Sequence, residues 1–400
     1  MERKFYLDWL RVILFSVLVI WHAAIGFSPY YAELIYGVGN DVRSGAFTEW
    51  ALNFSHSFRL HVVFLISGAG TFFAFQGRGF WEFLRDRGLR LIIPLVVAIL
   101  SVNLVRAYLV ADQIDPGVEF YGFAAHWITS ISYKSTQHLW FVANIVCYTA
   151  VLSPVFYCIA KNEEWPVRNA VKKIILAPYN ISIFVFIPVT LAVLVVLTKP
   201  YFRSLGGEGH LFLVYMGFFL FGFLTMAFRD RVPGILERTR LPLILLGVIF
   251  GMTLVAVTSY ATKIDPRYGA LIQFGGWAKL GLGVHNPVSL SASVLNAVVP
   301  WFMSLGIVGY AVRYLNTPSK HLRLLNEAVY PVYIWHYLFC TIGIIVAAKL
   351  RLPWVLEFLG VVVFTFSASF LCFLVLRRTK VTRLLFGIRQ PTPVKKPLPA

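Results

Sequence analysis

Long apolar runs separated by short, cation-rich polar stretches dominate the chain. A helix needs about 20 predominantly apolar residues to cross a bilayer at 1.5 Å rise per residue. Ten segments reach that length, at roughly 9–28, 54–76, 91–110, 138–160, 180–198, 210–228, 242–262, 288–312, 328–348 and 354–376. The pattern predicts an all-α, polytopic membrane protein of ten transmembrane helices. No stretch between them is long or polar enough for a separate soluble domain, and no internal repeat suggests two matched transporter halves. Residues 1–390 are therefore read as a single integral membrane domain. The final segment, 391–400, holds four prolines and two lysines and is predicted to be a disordered cytoplasmic tail. The longest connections, 29–53, 111–137 and 263–287, fall on one side. Aromatic residues in the first two, among them Trp50, Trp127 and Tyr133, suit an interfacial belt.

Composition changes the picture in one respect, the charge. Hydrophobic residues make up 58% of the chain and charged residues only 14%, against about 25% charged in soluble domains, so a soluble globular surface is excluded. The formal net charge of +18 then marks sidedness, and no nucleic-acid partner is needed to account for it. Ten spans place both termini on one side. If that side is the cytoplasm, 24 Lys and Arg lie on inner segments and nine on outer ones, the bias expected of cytoplasmic loops. The run Val12–Trp21 could pass for a secretory leader. It lacks an A-x-A site and shares its helix with Asp8, Arg11 and His22, which a discarded peptide does not need. Cys147, Cys158, Cys340 and Cys372 lie in or at the ends of spans without close spacing and read as small buried hydrophobes.

Ionisable groups inside the membrane are costly unless they face a cavity or a partner, so chemistry is sought there. Arg11 and His22 are eleven residues apart, which is about three full turns plus 20° and about 16 Å of rise. They share one face of the first span, and Asp8 can orient the guanidinium from one turn earlier. His56, Arg59 and His61 open the second span, His138 opens the fourth, and His336 lies within the ninth. Several imidazoles can thus meet in one outer half-cavity. No carboxylate or thiol at ligand spacing accompanies them, so no metal is expected. On the inner side, the loop between the second and third spans reads Arg78, Arg85-Asp86-Arg87 and Arg90. Such a cluster anchors topology, and beside a cavity mouth it would also bind phosphates, because guanidinium forks match phosphate oxygens.

These residues resemble a family. Tyr6-Leu7-Asp8-Trp9-Leu10-Arg11 followed by ten residues and His22, then His56-Ser57-Phe58-Arg59 leading to Phe64-Leu65-Ile66-Ser67-Gly68, are similar to the opening of the acyltransferase-3 membrane acyltransferases. Arg85 to Pro94 resembles the Arg-rich entry to the third helix, Gln137-His138-Leu139-Trp140-Phe141 the start of the fourth, and Tyr330-Pro331-Val332-Tyr333-Ile334-Trp335-His336 the penultimate helix. The lead into the second helix looks most like the branch that succinylates osmoregulated periplasmic glucans. Asp86 departs from the pattern by separating Arg85 from Arg87.

The resemblance implies a multi-pass protein of the bacterial inner membrane. It would act as an O-acyltransferase taking acetyl-CoA or succinyl-CoA from the cytoplasm to an extracytoplasmic glycan acceptor, with Arg11 and His22 essential. No cofactor is expected to be bound permanently; acyl-CoA is the co-substrate. The lipid bilayer is the remaining partner, and a homo-oligomer is left open. On this reading His22 is the general base for direct attack of a sugar hydroxyl on the thioester, and Arg85, Arg87 and Arg90 meet the CoA phosphates. Asp8, Arg59, His56, His138 and His336 support the site, and Trp50, Trp127 and Tyr133 stack on sugar faces. His138, Arg59 and Ser67 are the candidates for oxyanion donor, and Arg59 or Arg106 for the partner of a succinyl carboxylate. A secondary transporter or exporter of a succinyl compound or glycan would also use buried His and Arg as a proton relay. It would show half-to-half symmetry and discontinuous helices. A structural subunit of an envelope-polymer synthase would leave His22 and Arg11 without a task.

Overall fold

A computed structural model describes residues 3–28, 35–37, 45–198, 211–264 and 287–389. The Trp50 side chain, much of the connections 29–53 and 263–287, and the tail 391–400 lie outside the described residues. Among the described residues every regular element is a helix. α1 (Phe5–Ile25) and α2 (Ala46–Phe75) are each continuous. α3 (Phe80–Leu100) and α4 (Val102–Ile114) form one long crossing broken at Ser101, and α5 (Phe120–Thr129) lies in the connection after it. A 3-10 segment, Tyr133–Leu139, leads into α6 (Trp140–Lys161). The short α7 (Pro166–Ile175) follows, and α8 (Ile187–Thr198) is entered through a π-helical turn, Ser182–Phe186. The remaining helices are α9 (Phe212–Ala227), α10 (Val232–Arg238), α11 (Arg240–Ile264), α12 (Pro287–Tyr314), α13 (Leu322–Leu350), α14 (Trp354–Leu376) and α15 (Lys380–Leu385).

Nine helices among the described residues are long and apolar enough to cross a membrane. The sixth predicted span differs. Its described helix, α9, has 16 residues, about 24 Å at 1.5 Å per residue. It counts as a tenth crossing only together with α10, from which it bends by 107°.

The third crossing begins at Phe80, not near residue 91, and this corrects the reading of Arg85 to Arg90 as a loop. The early turns of α3 are polar, so the apolar run alone starts too late. The true start is marked by Gly79 and Glu82, whose carboxylate accepts from the Gly79 backbone N–H at 3.4 Å, and by the favourable placement of an acid at a helix N-terminus. Helical geometry at 100° per residue then puts Arg87 and Arg90 about 60° apart and Arg85 on the opposite side.

Lipid tails are as apolar as leucine, so close contact and internal hydrogen bonds hold such a bundle together. α2 packs along α9 with reciprocal glycines at the crossing. A Cβ on Gly68 would overlap the Phe219 carbonyl, and one on Gly222 the Leu65 carbonyl. The π-helical turn before α8 leaves the Ile183 carbonyl free to accept from the buried Trp301 indole at 2.8 Å. α1 is held between α2 and α13, and this places its Arg11–His22 face inside the bundle.

Candidate active site

A cavity of about 1430 Å³ opens at the end of the bundle where both described termini, Arg3 and Arg389, are found. Arg11 projects into it from α1, with Nη1 3.7 Å from Asp8 Oδ1. Asp8 is itself fixed by Arg3 Nη2 at 2.7 Å and by the Asn326 amide, which donates to Oδ1 at 3.0 Å. The Arg11 guanidinium rests on bare backbone at Gly70 of α2, where a Cβ would overlap it. From α3, Arg87 donates to the Thr71 hydroxyl at 2.8 Å, and its Nε is buried without a hydrogen-bond partner among the described residues.

The acids of this cavity are already engaged. Asp86 pairs with Arg78 at 3.3 Å, and Glu327 with Arg377 and Arg383 at 3.6 and 3.0 Å. Arg87, Arg90 and Arg323 line the same space, and no carboxylate among the described residues is within ion-pair distance of them. Guanidinium groups converging without an ion-pair partner have the chemistry that suits a multiply charged anion such as a phosphate. Arg87 and Arg90 border the cavity; Arg85 is exposed on the other side of α3 and does not.

Farther along the same face of α1, His22 meets two other imidazoles. His336 Nε2 is 3.2 Å from His22 Nδ1, and the His138 ring centroid is 5.2 Å from that of His336. All three rings pack on Tyr337. Relative exposure is 9% for His22, 8% for His138 and 0% for His336. His138 is set just before α6 by the 3-10 segment, which Asn103 of α4 grips by donating to the Ser135 and Thr136 carbonyls at 3.0 and 2.9 Å.

Backbone carbonyls only accept, and this assigns the protons of a neutral cluster. His336 Nδ1 lies 2.6 Å from the Tyr333 carbonyl and so carries a hydrogen, leaving Nε2 as an acceptor. His22 Nδ1 lies 3.0 Å from the Leu18 carbonyl, so its N–H is shared between that oxygen and His336 Nε2. The lone pair of His22 therefore sits on Nε2, which has no hydrogen-bond partner among the described residues. His138 Nε2 donates to the same Tyr333 carbonyl at 3.0 Å, and its Nδ1 is buried without a hydrogen-bond partner among the described residues.

The other expected residues divide. Trp21, next to His22, lies under Arg59 with 4.4 Å from Cζ to the ring centroid, and it stacks on His56 at 5.1 Å. Both therefore reach the cluster's flank through Trp21. His61 packs on Tyr215 and Phe218 instead. Trp127 donates to the Ile99 carbonyl and Tyr133 to the Asn144 amide oxygen, and neither is among the rings packed on the histidines. Arg106 lies over Tyr337 at 4.2 Å and donates to Thr341 at 3.2 Å. Tyr333 and Tyr337 were not singled out from sequence, although Tyr333 lies one turn before His336 and Tyr337 directly follows it. Among the described residues no group of three His, Cys, Asp or Glu side chains converges on a metal site.

Between cavity and histidines stand three rings. Phe15 packs edge-on against Tyr333 at 5.1 Å and against Phe141 at 6.4 Å, and Phe141 meets Tyr333 at 6.2 Å. Phe15 and Phe141 border the cavity, whereas His22 does not. The Tyr333 hydroxyl donates to the His138 carbonyl, so the constriction and the histidine cluster share a residue.

Glucans biosynthesis protein C of Escherichia coli strain K12 is 22% identical over 399 residues, covering 96% of this chain and 94% of the relative. The protein of the same name from Escherichia coli O157:H7 is 23% identical over 403 residues with the same coverage. No solved structure matches the chain. The acyltransferase domain that defines the acyltransferase-3 family matches residues 4–374, which takes in the cationic cavity lining from α1 to α13, the constriction and the histidine cluster, and the chain belongs to that family of acyltransferases.

Proposed function

We propose that the protein transfers an acyl group, acetyl or succinyl, from acyl-CoA on the cytoplasmic side to a hydroxyl of a glycan on the other side, with His22 as general base. The observation that carries this reading is the single face of α1, with Arg11 in the arginine-lined cavity at one end and His22 in a histidine cluster about 16 Å farther along. The excess of Lys and Arg on the segments at the cavity end supports a cytoplasmic orientation for it and for both termini. The glycan acceptor follows the name of the Escherichia coli relatives, which concerns glucan biosynthesis.

In the proposed reaction the CoA phosphates are held by Arg87 and Arg90, and Arg11 guides the pantetheine arm past Phe15. The glycan hydroxyl oxygen attacks the thioester carbonyl carbon while its proton passes to His22 Nε2. The C–S bond then breaks, and the His22 proton leaves with the thiolate as free CoA thiol. The neutral imidazole is regenerated and no acyl-enzyme is needed. His336 keeps the Nδ1–H of His22 oriented, so that Nε2 holds the lone pair, and the Leu18 carbonyl offsets charge on the ring while it carries the extra proton. Correct placement of the two reactants in a site that excludes bulk water supplies much of the remaining acceleration.

The test is transfer in proteoliposomes given labelled acyl-CoA on the cavity side and glucan on the other. The expected result is acylated glucan, identified by mass spectrometry, that disappears with His22→Ala. Movement of glucan or of a succinyl compound across the bilayer without a covalent product would overturn the reading in favour of an exporter.

A further inference from the structure

Beyond the residues matched by the family, the chain turns back on itself. After α14, residues 377–389 run through α15 and form a hook over the mouth of the cationic cavity. Its apolar contacts fix it in place. Phe386 is buried against Trp335 at 5.6 Å between ring centroids, and Ile388 is buried with Ala328 and Phe373. Gly387 has a φ of +66°, a backbone conformation that favours glycine. A Cβ there would overlap the Tyr330 ring and come within 3.2 Å of the Arg90 carbonyl. The hook is thus seated directly on α3 and α13.

Arg383 ties it internally. The guanidinium donates to the Arg377 carbonyl at 2.7 Å, to Glu327 at 3.0 Å and to the Arg389 carbonyl, while the Ile388 N–H donates to the Arg383 carbonyl at 2.7 Å. These bonds satisfy Glu327 and leave Arg389 at the cavity wall with no carboxylate within ion-pair distance among the described residues. Its charge acts on those of both Arg11 and Arg90. Three guanidinium groups from α1, α3 and the hook are therefore aimed at one volume. Beneath the hook, the buried Tyr330 hydroxyl has no hydrogen-bond partner among the described residues, like Arg87 Nε. Repulsion among such groups is relieved by a bound polyanion.

We propose that Arg389 is a phosphate-binding residue of the donor cavity, positioned by the C-terminal hook 377–389, and that the group it takes is the bisphosphorylated nucleoside end of the acyl-CoA. The inference rests on the reading of this cavity as the donor site. Arg383 is a positioning residue, since all its described bonds are to the protein.

The experiment is equilibrium binding of adenosine 3′,5′-bisphosphate to the full-length protein in nanodiscs. Arg389→Gln is expected to weaken binding about tenfold or more, the loss of a charge-assisted hydrogen bond. Arg389→Lys should recover part of it, keeping the charge but not the fork. Arg378→Gln, which removes the same charge from an exposed position away from the cavity, should bind as wild type. Equal affinity in wild type and Arg389→Gln would overturn the role of Arg389 and leave the donor site standing. Failure of the wild type to bind the bisphosphate would overturn both. Binding that depends on Arg389 in a protein that acylates no glycan would uphold the phosphate site and sink the proposed transfer alone.

Discussion

His336 Nε2 stands 3.2 Å from His22 Nδ1, joining the first helix of the chain to its penultimate crossing through two imidazoles. With the Tyr333 carbonyl holding the other nitrogen of His336, the pair has one consistent set of proton positions. In it His22 Nε2 is the basic atom.

His22→Ala is accordingly expected to lower kcat by about 10²–10⁴ with donor affinity unchanged. His336→Ala should lower kcat less, by about tenfold to a hundredfold, because the Leu18 carbonyl still orients the His22 N–H. The double variant should be no slower than His22→Ala, since residues that act as one unit are not additive. Initial rates of labelled acyl transfer in nanodiscs measure all three. Wild-type turnover in His336→Ala would detach that residue from the reaction.

Charge reversal on α3 separates donor binding from topology. Arg87→Glu and Arg90→Glu are each expected to raise the KM for acyl-CoA by tenfold or more, because a charge-assisted phosphate contact becomes a repulsion. Arg85→Glu, on the opposite side of the helix, should leave that KM within twofold of wild type. Equal effects at all three positions would mean that only the summed surface charge matters.

The contrast among these arginines shows how far the sequence could be read. The all-helical membrane fold was legible because apolar run length alone sets a span. Arg11 and His22 were legible because ionisable groups stand out in such a run. Arg87 and Arg90 could not be told from Arg85 while the segment passed for a loop, since facing is defined only once a helix start is known. The Tyr333 carbonyl that organises two histidines was out of reach, because backbone groups carry no sequence signal. Arg389 was hidden among seven C-terminal cations that read equally well as topology markers. The sixth span was placed at 210–228, but its bend was not foreseen, as hydropathy reports apolar length and not the 107° turn between α9 and α10.

Two glycines two residues apart on α2, and so on different faces of it, should fail in different ways. A Cβ at Gly70 meets the Arg11 guanidinium, the far end of a flexible side chain, whereas one at Gly68 meets the backbone of α9. Gly70→Ala is therefore expected to fold with a near-normal unfolding temperature and to lose about tenfold or more in kcat/KM by displacing Arg11 from its seat. Gly68→Ala should be destabilised by about 1–3 kcal/mol, the usual cost of overpacking. Thermal unfolding in detergent together with kcat/KM distinguishes them. A Gly70→Ala protein with unaltered kinetics would show that the placement of Arg11 is not critical.

The ring group of Phe15, Phe141 and Tyr333 stands between the cationic cavity and His22, so under the proposed reaction a thioester held in that cavity would be shielded from water on the far side. Thinning that group should uncouple thioester cleavage from glycan acylation. Phe15→Ala is expected to raise CoA release in the absence of glycan several-fold, and to lower the fraction of acyl groups that reach glycan when it is present. Phe141 is more deeply buried, and truncation to Ala would cost about 3–5 kcal/mol, so Phe141→Leu is the better second variant and should act in the same direction. Tyr333→Phe keeps the ring and loses only the hydroxyl that donates to the His138 carbonyl. It should leave glycan-independent CoA release low while slowing transfer through a less firmly held His138. Free thiol appearing with and without glucan reads all three variants. If release without glycan stays at the wild-type level in both phenylalanine variants, the three rings do not form the barrier, and closure of the donor path must lie elsewhere along α1.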